Sequence, residues 1–305
     1  MVDLSAALGP LALKNPILVA AGTFGYGVEF QEFFDIAQLG GVITKTLTLS
    51  PREGNPAPRV AETPSGMLNA VGLQNIGIDV FLKDKWPALR GLNTPAVVSV
   101  AGFSEQEFVA CAERLQGSGA AAIELNLSCP NVAHGHGARC FAQNAQETGS
   151  VVRAVKNVSR LPVFAKLSPE VSDIASIARA ASEGGADVLT LINTLPGMAI
   201  DVDTERPVLA HNTGGLSGPA IRPIAVRCIW EVCKAVKTPI LGIGGVTSGR
   251  DALELILAGA SAVAVGTANF WNPRAPKIVL DELTALLKKK NKSTRECTGA
   301  VKEFS

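Results

Sequence analysis

The stretch TPAVVSVAGFSEQEFVACAERLQGSGAAAIELN, residues 94–126, decides how the chain folds. It opens on a Pro followed by an unbroken apolar run, passes through a helical pattern headed by Ser104, and ends with glycines followed by a second apolar run. Continuous apolar runs, rather than alternating ones, are what parallel strands buried on both faces require. A Ser at the head of the middle segment can cap the first helical turn. The segment therefore reads as a strand, a helix and a second, parallel strand.

The same doublet occurs four times. Its Pro member stands in NPILVAAG (Pro16), TPAVVSVAG (Pro95), LPVFAKLSP (Pro162) and TPILGIGG (Pro239). Its Gly member stands in LGGVITKT (Gly40), GSGAAAIELN (Gly119), EGGADVLTLIN (Gly185) and LAGASAVAVGT (Gly259). The Pro-to-Gly separations of 24, 24, 23 and 20 residues leave room for one strand, one helix and two short turns. SDIASIARAASEGG and SGRDALELILAGA supply further helices, opened by Ser172 and Ser248. Eight strand–helix units are the sequence form of an α/β fold, the (β/α)8 TIM barrel. An open doubly wound sheet is the alternative, but nothing marks a reversal of strand order. The expectation is a single barrel domain over residues 1–305.

Two insertions, TLSPREGNPAPRVAETPSGMLNAVGLQN after strand 2 and PGMAIDVDTERPVLAHNTGGLSG after strand 6, are rich in Pro, Gly and polar residues. With the loop after strand 4 they are expected to cap the C-terminal face, where barrels keep their active sites. The N-terminal VDLSAALGPLALKNP reads as a hairpin that plugs the opposite end.

A net charge of +1 and a pI near 7.6 give no field for gathering nucleic acid or acidic membranes, so a small-molecule partner is expected. No basic segment precedes an apolar core at the N-terminus, and no apolar run spans a bilayer, so a cytoplasmic protein is expected. Six cysteines, at positions 111, 129, 140, 228, 233 and 297, form no Cys-x-x-Cys pair and read as reduced thiols. Cys228 and Cys233 lie in RCIWEVCKAV, an amphipathic pattern that points to burial. An iron–sulfur cluster on this chain is not expected.

The strand ends carry Ala21 and Gly22, Thr44 to Thr46, Ser99, Asn126 to Cys129, Lys166, Asn193 and Thr194, Gly244 and Gly245, and Gly266 and Thr267. The absence of Asp, Glu and His there weakens paired-carboxylate hydrolysis and a histidine metal centre. Glycines ending strands 7 and 8 are where such barrels bind phosphate, because bare backbone lets N–H groups converge on it. Lys45 and Lys166 end apolar strands, which costs free energy unless each meets an anion or takes part in chemistry. Two roles compete: a Schiff-base lysine, as in a lyase using Lys166, or a lysine facing the N1 side of a flavin. The carboxamides of Asn69, Asn126 and Asn193 suit a planar imide ring, since each can donate and accept. A barrel that only binds a phosphate-bearing ligand is the non-catalytic alternative.

The motifs TKTLTLSPREGNPAPRVAETPSGMLNAVGLQNIG, ELNLSCPN, KLSP, INTLPGM, GGLSGPAIRP, GIGGV and AVGTANF stand here in that order. In this the sequence closely resembles class 1 dihydroorotate dehydrogenases over essentially its whole length, specifically the B-type, NAD-linked catalytic subunit. The resemblance implies an FMN-containing barrel, one FMN per chain, that oxidises dihydroorotate to orotate in de novo pyrimidine biosynthesis. It places FMN on Ala21, Gly22, Lys45, Thr46, Ser99, Asn126, Lys166, Ile192 and Gly218, with the phosphate on Gly244, Gly245, Gly266 and Thr267. It places orotate on Lys45, Asn69, Ala70, Val71, Gly72, Leu73, Asn126, Asn131, Asn193 and Thr194. Cys129 matches the family's catalytic base, which takes a proton from C5 while hydride leaves C6. Ala21 stands where Ser is frequent and Ser99 where Asn is frequent.

The B type further implies a homodimer core in a heterotetramer, with FAD and a 2Fe–2S cluster on a partner subunit that passes electrons to NAD. The A type, a fumarate-reducing homodimer, is the alternative; GLQN and PREGNP favour B. In NVAHGHGARCFAQ, Gly135 and Gly137 suit a lid over substrate. Cys129, His134, His136 and Cys140 match no common zinc spacing, so no metal is expected.

Overall fold

The computed structural model describes residues 2–128 and 140–304. Eight parallel strands close into one barrel: β1 (Ile17–Val19), β2 (Gly41–Ile43), β3 (Ala96–Val100), β4 (Ala122–Asn126), β5 (Val163–Lys166), β6 (Val188–Leu191), β7 (Ile240–Ile243) and β8 (Ala262–Val265). The order around the barrel follows the chain, and β8 pairs with β1 to close it, with Val263 level with Ile17. The fold is the (β/α)8 barrel that the repeat predicts.

The two-residue period of a strand divides each apolar run between two cores. Outward residues such as Ile123 and Leu125 pack against the helices. Inward residues stack as layers of four drawn from alternate strands. Leu18, Val97, Phe164 and Leu241 form a lower layer; Ile43, Glu124, Thr190 and Ala264 lie above it; Ala20, Ser99, Lys166 and Ile243 come next, toward the C-terminal face. Polar side chains thus enter the interior as it approaches that face.

The helices Glu105–Arg114, Ala145–Val158, Ile174–Glu183, Arg222–Ala235, Gly249–Ala258 and Ala275–Lys290 surround the barrel. Ser104 and Ser248 cap their helices as expected, accepting from the N–H groups of Glu107 and Asp251. The third cap differs. Asp173, not Ser172, accepts from Ser176 N at 3.0 Å, because Asp173 is the extended residue three positions before that donor. The expected helix between β1 and β2 is also replaced by 3-10 turns at Val28–Phe30 and Ile36–Gln38. Gly25 and Gly27 there adopt positive φ, which interrupts a helix before it can propagate. The helical stretch after β2 contains a π turn, Phe81–Lys85, just before Pro87, which has no N–H to offer a regular helix.

The insertions after β2 and β6 do more than cover the barrel. They build one four-stranded antiparallel sheet, in the order Leu195–Gly197, Gly214–Ser217, Gly66–Asn69, Val60–Thr63. Gly66 is required at its centre, since a Cβ there would lie 1.9 Å from the Ser217 carbonyl oxygen. Most of the segment after β4 lies outside the described residues, so the lid expected there has no structural account.

The N-terminal hairpin, Ala6–Leu8 with Leu11–Leu13, inserts Leu8 and Leu13 among the inward-facing residues at the barrel's lower end. It is the plug the sequence leads one to expect. Leu8 is fully buried, so Leu8→Ala is expected to destabilise the protein by about 2–5 kcal/mol in urea unfolding, with the opposite face of the barrel unaffected.

Candidate active site

A cleft of about 1230 Å³, measured out to its mouth, opens at the C-terminal ends of the strands beneath the cap sheet. Ala21, Gly22, Lys45, Thr46, Asn126, Lys166, Ile192, Gly244, Gly245, Gly266 and Thr267 line it from the barrel. Asn69, Val71, Gly72, Leu73, Asn193, Thr194 and Gly218 line it from the cap and its junctions. Residues from every barrel strand end except that of β3 converge on this one space.

Two expected contacts stand elsewhere. Ser99 is fully buried inside the barrel, where its hydroxyl lies 3.0 Å from the Thr46 hydroxyl. It supports Thr46, which lines the cleft in its place. Ala70 is fully buried too, because strand alternation turns it away from Asn69 and into the cap's own core with Leu68 and Leu209. Cys129, Asn131, His134 and His136 lie outside the described residues. Cys140 is described, and its thiol reaches the Leu127 carbonyl at 3.8 Å.

A chain of hydrogen bonds crosses the rim. Asn126 Nδ2 donates to Thr46 Oγ1 at 3.4 Å, and the Ser128 hydroxyl donates to Asn126 Oδ1 at 3.5 Å. Asn193 Nδ2 donates to the Ser128 hydroxyl and carbonyl at 2.8 and 3.0 Å, while its Oδ1 accepts from Thr194 N at 2.8 Å. Both carboxamides therefore have fixed orientations before any ligand arrives. On the far side Thr267 Oγ1 donates to Ser217 Oγ at 2.8 Å, tying the end of β8 to the cap sheet.

Met67, Gln74, Ser217, Ile221 and Phe270 also line the cleft, beyond the residues expected from the sequence. Gln74 and Ser217 sit inside LNAVGLQN and GGLSG, so their motifs were visible but not their direction. Gln74 is oriented by Arg59, whose Nη2 donates to its Oε1 at 2.5 Å.

Among the cysteines, burial pushes the Cys111 thiol up to about 12 and the Cys228 thiol up to about 11. These are structural thiols. No disulfide joins the five described cysteines, and no cluster of potential metal ligands occurs among the described residues. No described helix is long and apolar enough to cross a membrane.

Residues 4–287 match the family model described as dihydroorotate dehydrogenase. The chain belongs to the dihydroorotate dehydrogenase family. Its relatives include proteins named dihydroorotate dehydrogenase B (NAD(+)), catalytic subunit. The one from Citrifermentans bemidjiense is 50% identical over 301 residues, covering 98% of each chain. Those from Bacteroides thetaiotaomicron and Desulforudis audaxviator are 49% and 50% identical over 99% and 98% of each chain. Within the dihydroorotate dehydrogenase family the chain groups with the B-type, NAD-linked catalytic subunits.

Burial holds the Lys45 ammonium below the ordinary lysine pKa, Arg59 nearby adds to the effect, and Glu29 opposes it. The folded state therefore releases this proton at lower pH than the unfolded chain. Below the folded pKa the protein bears the whole penalty of burying the charge, and that penalty fades as pH rises through it. Lys45→Met is expected to be more stable than the parent near about pH 6, with a smaller gain near about pH 9.5, as read by urea unfolding at both values.

Proposed function

We propose that the chain is the catalytic subunit of an NAD-linked dihydroorotate dehydrogenase, a single FMN-binding barrel domain that oxidises dihydroorotate to orotate in pyrimidine synthesis. The observation that carries this is the set of bare backbone donors at the ends of β7 and β8. Among the described residues, the N–H groups of Gly244, Gly245, Gly266 and Thr267 donate to no protein acceptor, yet all four residues line the cleft. Backbone donors left unpaired at adjacent strand ends form an anion cradle.

The residues fit FMN. A Cβ on Gly22 would meet nothing within 4 Å, and one on Gly266 only the Ala20 Cβ at 3.7 Å, so bare backbone faces open cleft at both places. Gly244, Gly245, Gly266 and Thr267 would hold the phosphate; Ala21, Gly22, Thr46, Asn126, Lys166, Ile192 and Gly218 would hold the ring system. When bound, FMN supplies the two-electron acceptor for the hydride that leaves C6 of dihydroorotate. The remaining work falls to side chains. Lys45, Asn69, Asn193, Thr194 and the turn from Val71 to Leu73 would hold the substrate, with Asn126 serving both substrate and ring. Asn131 joins them on the strength of its motif. Carboxamides locked by the rim hydrogen bonds present donor and acceptor in a fixed sense to a ring that carries both. Cys129 receives the C5 proton on its sulfur. A partner subunit carrying FAD and a 2Fe–2S cluster, assembled on a homodimer of this chain, would take the electrons on to NAD; the relatives' designation as catalytic subunits supports the existence of a partner.

Purified protein is expected to be yellow and to bleach on anaerobic addition of dihydroorotate; a colourless preparation that neither takes up FMN nor reacts would sink the proposal. Cys129→Ser is expected to keep its flavin while reduction by dihydroorotate slows severely at neutral pH, because a thiol of pKa about 8.5 is partly ionised there and a serine hydroxyl is not. Near-normal flavin reduction in that variant would remove Cys129 from the role. Gly266→Ala has space in the protein but places a methyl in the cradle. The expected result is unchanged unfolding of the flavin-free protein with about ten- to a hundredfold weaker FMN binding by fluorescence titration.

A further inference from the structure

Glu124 stands alone among the inward-facing residues of the barrel strands as an acidic side chain, within the described residues. It is fully buried, and neither carboxylate oxygen accepts a hydrogen bond. Thr190, in the same layer, also keeps its hydroxyl without a partner. A carboxylate in such a place is strongly unfavourable unless a nearby charge offsets it. The strand register supplies that charge. Glu124 is level with Phe164 on β5, and Lys166, two residues further along β5, faces inward in the layer above. This is the diagonal cross-strand relation, within reach for two long side chains.

Lys166 is 6% exposed and forms no ion pair or hydrogen bond among the described residues, so its charge acts through the barrel interior. Water screens little there. The other interior cation, Lys45, is influenced by Arg59 and Glu29, both of which lie outside the barrel strands. Two lysines and one acid therefore set the charge of the barrel floor, and the acid sits one layer below one lysine on the neighbouring strand.

We infer that Glu124 is a positioning residue whose carboxylate offsets part of the positive charge of Lys166, and so limits how strongly the barrel floor draws electrons onto the ring bound above it. The inference rests on the proposal that a flavin lies over Lys166. Removing the negative charge while keeping the shape, as in Glu124→Gln, should leave Lys166 less compensated and make the bound flavin easier to reduce. A merely structural role for Glu124 would alter stability but not that potential.

The test is spectroelectrochemical titration of the flavin-loaded protein. Glu124→Gln is expected to move the flavin midpoint to a more positive potential by a factor of about ten in the reduction equilibrium, which is about 30 mV for a two-electron couple. Lys166→Gln should move it the opposite way. If Lys166→Gln lowers the potential while Glu124→Gln leaves it unchanged or lowers it, the inference about Glu124 fails and the flavin site stands. If flavin is bound but neither variant moves the potential, the placement of the flavin over Lys166 fails, and the inference with it. Thermal unfolding of the purified proteins gives a second measure should Glu124→Gln fold poorly. The double variant Glu124→Gln with Lys166→Gln is expected to recover stability lost in Glu124→Gln alone, whereas additive losses would overturn the coupling.

Discussion

The pairing of β8 with β1 is the constraint on which the rest of the molecule depends. Val263, Ala264 and Val265 run level with Ile17, Leu18 and Val19, and with that ladder made no strand of the barrel has a free edge. Closure converts the period-two alternation of every strand into an inside and an outside. It also tilts the strands so that inward side chains fall into layers of four. The lower layer is apolar and is sealed from below by Leu8 and Leu13. The polar residues toward the other end can be used because the layers beneath them exclude water.

The second constraint is the cap. Its central strands come from insertions far apart in the chain and meet where Gly66 approaches the Ser217 carbonyl more closely than any side chain would permit. The Thr267 to Ser217 hydrogen bond then fastens this sheet to the end of β8. The cleft is thus a gap between two rigid sheets, floored by strand ends and roofed by Asn69 and its neighbours. A site of this construction holds its carboxamides in place before a ligand enters, which suits a reaction whose demand is geometric.

Much of this was legible in the sequence. The Pro and Gly doublets located all eight strands because a buried parallel strand must be continuously apolar and its turns must be tight. The same logic located the strand ends, and with them Lys45, Asn126, Lys166 and the glycines of β7 and β8. Local chemistry was less decisive where two residues could do one job. Asp173 displaced Ser172 as a cap, and the glycines at 25 and 27 left no helix between β1 and β2. Ser99 and Ala70 were correctly placed along the chain, but Ser99 is covered by Thr46 and Ala70 faces the cap's own core, since one residue of register decides which side a strand side chain takes.

What the sequence by itself determined is the number, type and order of the strands, and the chemical kind of group that ends each one. These follow from hydrophobic periodicity and turn chemistry, which are local. The tertiary structure decided three further things. It joined two distant insertions into one sheet, oriented Asn126 and Asn193 through a shared hydrogen-bond chain, and set Glu124 beneath Lys166. Each of these depends on which residues of different strands come level with one another. Level is fixed by barrel closure and stagger, and so it is a property of the whole ring of strands and of no single segment.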